Sequence, residues 1–368
     1  MASKDSLSDP VLMRRSAEAV IELAGKVKAE LGRIPVFMEV CGSHTMAFAK
    51  SGIKARLHED VRLIAGPGCP VCVTDQKSID GMIQLAEGPD RILCTFGDMM
   101  RVPGSKSTLM KAKTNGGDIR VVYSPLESVK LAEDNPGKEV IFLGIGFETT
   151  IPILALAVDA ANTKLLNNFS VWMATKRVEP VMRALLDSGE MKLDGFLLPG
   201  HVSVVSGERS YRFLADEYRM PGVISGFEPV QLLSGIYKLL EQVLEKKAGI
   251  LNDYPAVVTE GGNIIARKYM DKYFEPHAEA WRGMGEIPDS GYVLKDRYAR
   301  FDARKKFAVS VKKPGKSPCR CGEIIRGLIT PEECALFNKG CTPANPAGPC
   351  MVSTEGTCAA HYQYMREE

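Results

Sequence analysis

The chain lacks any apolar run long enough to cross a bilayer. Its longest, residues 151–161 (IPILALAVDAA), is about half the ~20 residues a spanning helix needs, and it carries Asp159. The first twenty residues hold no apolar segment followed by a cleavage site, so no secretory signal is expected. Net charge is nearly absent: 47 Lys+Arg against 45 Asp+Glu leave +2. That balance argues against a nucleic-acid footprint, and no block of like charge is long enough to act as a binding tail. A Walker-type G-x-x-x-x-G-K-[ST] is also missing, since the segment around Gly104-Ser105-Lys106 has no first glycine.

What is present is a globular composition, 45% apolar and 25% charged over 368 residues, enough for two or three domains. Without an export signal the expected location is the cytoplasm. There the ten cysteines point to metal ligation or redox chemistry rather than structural disulfides.

Short β-rich runs alternate with helical patterns, and each run stops at a Gly- or Pro-containing loop. One series comprises residues 35–40, 61–65, 91–96 and 119–123, and a second comprises 139–143, 169–174, 195–198 and 222–225. This alternation predicts an α/β fold with two similar Rossmann-like parallel-sheet domains facing a cleft. The expected domains are residues 1–129 and 130–245, followed by a C-terminal α-rich iron–sulfur domain over 246–368. Residues 241–276 read as helical with a break at Gly261-Gly262, and 304–318 as a basic, solvated connector.

Ligands of open α/β sheets bind beyond the carboxyl ends of the strands. Cys41, His44, Cys69, Cys72, Glu148, His201 and Glu228 all follow predicted strands, so convergence at one cleft is expected. Cys69-Pro70-Val71-Cys72 suits a redox pair or half of a metal site. Cys41 adds a third thiolate able to hold a soft metal. His44 reads equally as ligand, proton shuttle or helix-start residue, and Cys94, inside a strand, as a core residue.

Six cysteines lie in the last fifty residues: Cys319, Cys321, Cys334, Cys341, Cys350 and Cys358. A [4Fe–4S] cluster takes four thiolates. Zinc would accept four as well, but its usual paired C-x₂₋₄-C knuckles are missing, and Cys319-Arg320-Cys321 is too tight for one. An iron–sulfur site is favoured, with two thiols left over as bystanders or as a redox dithiol. His361 reads as a surface residue.

In order along the chain, 41–45 (CGSHT), 66–72 (GPGCPVC), 95–98 (TFGD), 146–150 (GFETT), 199–203 (PGHVS), 226–229 (GFEP), 319–322 (CRCG) and 350–358 (CMVSTEGTC) together resemble the hydrogenase maturation factor HypD family. The resemblance runs from about residue 30 to the end. It implies assembly of the Fe(CN)₂CO group of [NiFe] hydrogenases with a small HypC-type partner, whose N-terminal cysteine shares the iron with a cysteine of this chain. A HypE–HypF pair would supply cyanide. By motif, Cys41 looks like the iron ligand, Cys69 and Cys72 like the redox pair beside it, and His44 like their neighbour. The family's cluster domain is similar to that of ferredoxin–thioredoxin reductase. That analogy implies Cys319, Cys334, Cys341 and Cys358 as cluster ligands and Cys321 with Cys350 as an accessory dithiol that passes electrons to Cys69 and Cys72. Glu148, His201 and Glu228 are candidates for handling protons or holding the partner. The rival readings are a stand-alone iron–sulfur-dependent thiol–disulfide reductase and a structural zinc protein.

Overall fold

The computed structural model describes residues 9–309, 311 and 317–365. Part of the basic connector expected over 304–318, residues 310 and 312–316, lies outside them. All eight expected strands form: β1 (Val36–Glu39), β2 (Arg62–Ala65), β3 (Arg91–Thr95), β4 (Ile119–Val121), β5 (Glu139–Gly146), β6 (Phe169–Thr175), β7 (Gly195–Pro199) and β8 (Gly222–Ser225). A ninth, β9 (Ile250–Asn252), extends the first sheet.

The strands form two parallel sheets, ordered β2-β1-β7-β8-β9 and β4-β3-β5-β6. The grouping differs from the two series read along the chain. β3 and β4 belong with β5 and β6, whereas β7 and β8 return to pair beside β1. Each βα unit reads alike whichever sheet it joins, so membership is decided by long-range pairing. One such tie is the two-pronged contact of Arg33 with Asp194 (2.7 and 2.6 Å), which fixes the start of β1 beside that of β7.

Both sheets are covered on both faces, which is why β5 (EVIFLGIG) and β6 (FSVWMAT) are almost continuously apolar. On the first sheet, helices Pro10–Leu31 and Pro229–Leu244 pack side by side and bury Val20, Leu23, Ile236 and Leu239 over Phe37. On the second, helix Ile151–Thr163 buries Leu154 and Val158 against Phe142 and Val171.

Beyond residue 244 the helical expectation holds only for Ile264–Tyr273. The chain then forms an antiparallel hairpin, β10 (Phe274–Trp281) and β11 (Gly285–Leu294), packed beside β6. Glu275 and His277 face out while Glu279 and Trp281 are buried, although all four share one parity, because a bulge between His277 and Glu279 switches the face of the strand. Among the described residues after 316 the helices are all short, among them Cys321–Ile324, Pro349–Val352 and Thr357–Tyr364. No helix of the described residues is long and apolar enough to cross a membrane.

Candidate functional site

In each sheet the strand order reverses once. The reversal falls between β1 and β7 in the first sheet and between β3 and β5 in the second. Such reversals open a crevice beyond the strand ends because the two flanking connections leave in opposite directions. The segments after β1 and β7 are Cys41–His44 and Gly200–Ser203; those after β3 and β5 are Phe96–Asp98 and Phe147–Thr150.

In the first crevice, Cys41 sits in extended backbone at the start of helix Gly42–Ser51. Its thiol is buried, and that burial pushes its pKa up to about 12, only partly opposed by the backbone N–H groups of His44 and Ser43. A thiolate there needs a metal or another charge to sustain it. His44 is fully buried, and its Nε2 lies 3.0 and 3.3 Å from the carbonyl oxygens of Gly226 and Ser225. Two carbonyls can only accept, so Nε2 carries the hydrogen, and Nδ1 keeps a lone pair without a partner among the described residues. Burial lowers the His44 pKa to about 4, so the ring is neutral. Phe227 lies between the two histidines, stacked on His201 (4.0 Å between centroids) and tilted against His44 (4.7 Å).

A turn from the C-terminal segment closes over this crevice. Glu355 lies against Gly42, where a Cβ would meet its own Cβ at 2.6 Å, and its Oε1 accepts from Ser43 Oγ (2.6 Å). Its charge also reaches Cys41, adding to the upward shift from burial, and His201, where it partly offsets the lowering that burial imposes. Ser353 of the same turn donates to Asp98 Oδ2 (3.1 Å) in the second crevice.

Gly68 accounts for the approach of the Cys69–Cys72 segment. A Cβ there would stand 2.4 Å from both the carbonyl carbon of Cys41 and the nitrogen of Gly42, so only glycine lets the two backbones touch. Cys69 caps the short helix Pro70–Val73, its Sγ accepting from the Cys72 N–H (3.2 Å), and the two cysteines are joined as a disulfide. Both are buried.

Helix Pro349–Val352, which carries Cys350, packs against helix Pro70–Val73. Cys69, Cys72, Cys321, Cys334, Cys341, Cys350 and Cys358 thereby join one buried cluster. Within it the side chains of Cys319 and Cys321, Cys321 and Cys350, and Cys350 and Cys358 lie within hydrogen-bonding reach. Cys341 accepts from the Ala347 N–H (3.2 Å) and lies near Cys358 and Cys334. Among the described residues no three His, Cys, Asp or Glu side chains are gathered to hold a single metal ion. A four-iron cube holds its four thiolates at separate corners, and the donors here are all soft sulfur, so this set fits an iron–sulfur cluster.

The hairpin joins the two thiol sets, a link that pattern reading missed. Trp281 bridges to Thr74, and Arg282 donates its backbone N–H to Val73 O and its Nε–H to Thr74 O. The neighbouring Gly283 touches Gly322, where a Cβ would meet backbone at 2.6 Å. Arg282 also favours the thiolate of Cys321.

The expected convergence is therefore partial. Cys41, His44, Cys69, Cys72 and His201 gather, whereas Glu148 lines a separate cavity of about 400 Å³ with Arg177, Tyr211 and Tyr292. There its Oε1 accepts from the Val178 N–H (2.9 Å), its Oε2 has no partner among the described residues, and burial raises its pKa to about 7. The Glu228 side chain caps helix Pro229–Leu244 in a reciprocal arrangement with Gln231. Cys94 is a core residue as expected. His361, expected at the surface, is buried, because the helix Thr357–Tyr364 turns it inward to pair with Glu332 (2.7 Å). Glu355, Asp98, Phe227 and Arg282 escaped sequence reading; the first three lie within the motif segments, but nothing local marks their contacts.

Fold and site together define an α/β protein with paired parallel sheets and two buried thiol groups packed into one core. The family described as "Hydrogenase formation hypA family", HypD, matches residues 16–365. HypD2 of Bradyrhizobium diazoefficiens is 45% identical over 96% of both chains. The HypD proteins of Rhodobacter capsulatus (44% identical, 97% of this chain and 96% of the relative) and Escherichia coli K12 (40%, 99% and 98%) are similar throughout. The chain belongs to the HypD family of hydrogenase maturation factors.

Proposed function

We propose that this chain is a scaffold and thiol-redox protein for assembly of the Fe(CN)₂CO group, holding the iron at Cys41 together with the N-terminal cysteine of a HypC-type partner and receiving cyanide from a HypE-type donor. The observation that carries this reading is the backbone contact of Gly68 with Cys41, which sets the Cys69–Cys72 pair beside a lone buried thiol.

Iron is the cargo, and a soft thiolate suits a low-spin centre with strong-field ligands. Because the free Cys41 thiol is held protonated, iron binding releases a proton inside the crevice. The neutral His44 presents its Nδ1 lone pair, and the exposed His201 under the charge of Glu355 leads outward. Reduction of the Cys69–Cys72 disulfide takes up two electrons and two protons, giving two thiols near the iron position. Cys319, Cys334, Cys341 and Cys358 would hold a [4Fe–4S] cluster, with Cys321 and Cys350 as the adjacent dithiol; bound there, the cluster supplies single electrons. The burial of Cys69 and Cys72 favours internal electron delivery over a stand-alone reductase, whose disulfide must meet an external substrate.

The test is Cys41→Ala in anaerobically purified complex with the partner. The expected result is loss of the iron that carries CO and cyanide infrared bands, while the iron and acid-labile sulfide of the cluster remain. A variant that keeps those bands overturns the assignment.

A further inference from the structure

The first sheet ends at β2, and among the described residues no strand pairs with its outer side. Arg62 and Gly66 donate their N–H groups to Pro35 O (2.9 Å) and Glu39 O (2.7 Å) of the β1 segment. Backbone direction alternates along a strand, so Leu63 and Ala65 present their N–H and C=O groups outward. They face a cavity of about 790 Å³. Its opposite wall, from the C-terminal segment, carries the apolar Ile324, Ile329 and Phe337 among polar residues such as Thr330 and Asn338. An unpaired edge beside apolar side chains is a template for strand addition.

The exposed rim has a basic excess. Arg62 and Lys339 line it without an ion pair among the described residues, while His58 is paired with Glu59 and the one carboxylate of the lining, Glu332, with His361. The groove follows β2 to its carboxyl end, where the chain runs into Gly66 and Gly68 against Cys41.

We infer that the edge of β2 receives an extended apolar segment of the HypC-type partner, bearing acidic residues, as a sixth strand. The segment runs antiparallel to β2, which brings its N-terminal end to the Cys41 crevice. This rests on the partner reading above and deepens it: backbone pairing supplies the register, and the basic rim selects the charge.

Hydrogen exchange of the β2 amides, with and without the purified partner, tests it. Leu63 and Ala65 are expected to become protected in the complex. Leu63→Pro removes an outward N–H without touching the β1 pairing, and it should weaken binding by about tenfold or more. The double variant Arg62→Glu/Lys339→Glu alters only exposed side chains and should weaken binding by a similar factor of about ten, with reduced salt dependence. A complex with both amides unprotected, or both variants binding within about twofold of the parent, overturns strand addition and leaves the partner reading standing. Absence of any complex overturns both. Protection of the edge by dimerisation, without partner, assigns the groove to a second copy and overturns the proposal.

Discussion

The two crevices are made by the same topology and filled by opposite chemistry. The one between β1 and β7 holds a thiol, two imidazoles and the Cys69–Cys72 pair; the one between β3 and β5 opens on carboxylates, with Asp98 holding a turn and Glu148 facing its own cavity. Strand order decides where a ligand can sit, and the loop residues decide what that ligand is. Each crevice also has a buried Lys–Glu pair near it. Lys54 binds Glu39, two residues before Cys41, at 2.8 Å, and Lys176, directly after β6, stands 3.6 Å from Glu279.

Those two pairs give the largest expected contrast. Glu39 is almost fully buried, Lys54 is its ion-pair partner at 2.8 Å, and its Oε2 has no hydrogen-bond partner among the described residues. Lys54→Met should therefore strand a buried carboxylate and cost roughly 3–5 kcal/mol in urea unfolding. Glu279 keeps Arg304 at 3.0 and 3.1 Å if Lys176 is lost, and burial has already lowered the Lys176 pKa to about 8. Lys176→Met should cost less than about 1 kcal/mol, because the substitution removes a desolvated ammonium whose Nζ makes no hydrogen bond among the described residues. Equal losses in the two variants would show that Arg304 does not neutralise Glu279.

The second contrast is in pH. His44 has a folded pKa near 4 against an ordinary 6.5, so its contribution is complete above 6.5 and is lost as pH falls towards 4. Glu148 has a folded pKa near 7 against 4.5, so the folded state binds the extra proton and stability falls as pH rises from 4.5 to 7. Each effect is on the order of 3 kcal/mol at most, and between pH 4.5 and 6.5 they oppose one another. His44→Gln should therefore leave stability falling with pH across that window, and Glu148→Gln should leave it rising. Parallel stability–pH curves for the two variants would remove the distinction between the crevices.

How much of this was legible beforehand follows from the range of each signal. The eight strands and their loops could be read because apolar runs and Gly/Pro stops are local, and so could the burial of Cys94. Sheet membership was not legible, since β2 and β3 are equally good neighbours for β1 by pattern and only pairing separates them. The β10–β11 hairpin was missed: its first three residues, 274–276, were read as the end of a helical stretch because they follow a real helix, Ile264–Tyr273, without a strong turn signal between them. Glu355 and Asp98 sat inside motif segments but were passed over, because their partners Ser43 and Ser353 lie about 300 and 250 residues away along the chain. Glu148 and His201 looked equivalent at strand ends, and only the membership of β5 in the second sheet and β7 in the first separates them.

The smallest expected effect asks whether the crevices are separate at all. The turn over residues 353–356 is held on one side by Ser43 Oγ donating to Glu355 and on the other by Ser353 Oγ donating to Asp98. Ser43→Ala and Asp98→Asn should each cost about 1 kcal/mol, the usual worth of a hydrogen bond of this kind. If the turn is a rigid strap, losing one anchor leaves the other strained, and the double variant should depart from additivity by more than about 0.5 kcal/mol. Additive losses would mean that each anchor holds only its own end, and that the crevices share a cover without sharing a state. Gly356 favours the strap: a Cβ there would meet the Cys350 carbonyl oxygen at 2.1 Å, so the turn is locked onto the helix that packs against Cys69 and Cys72.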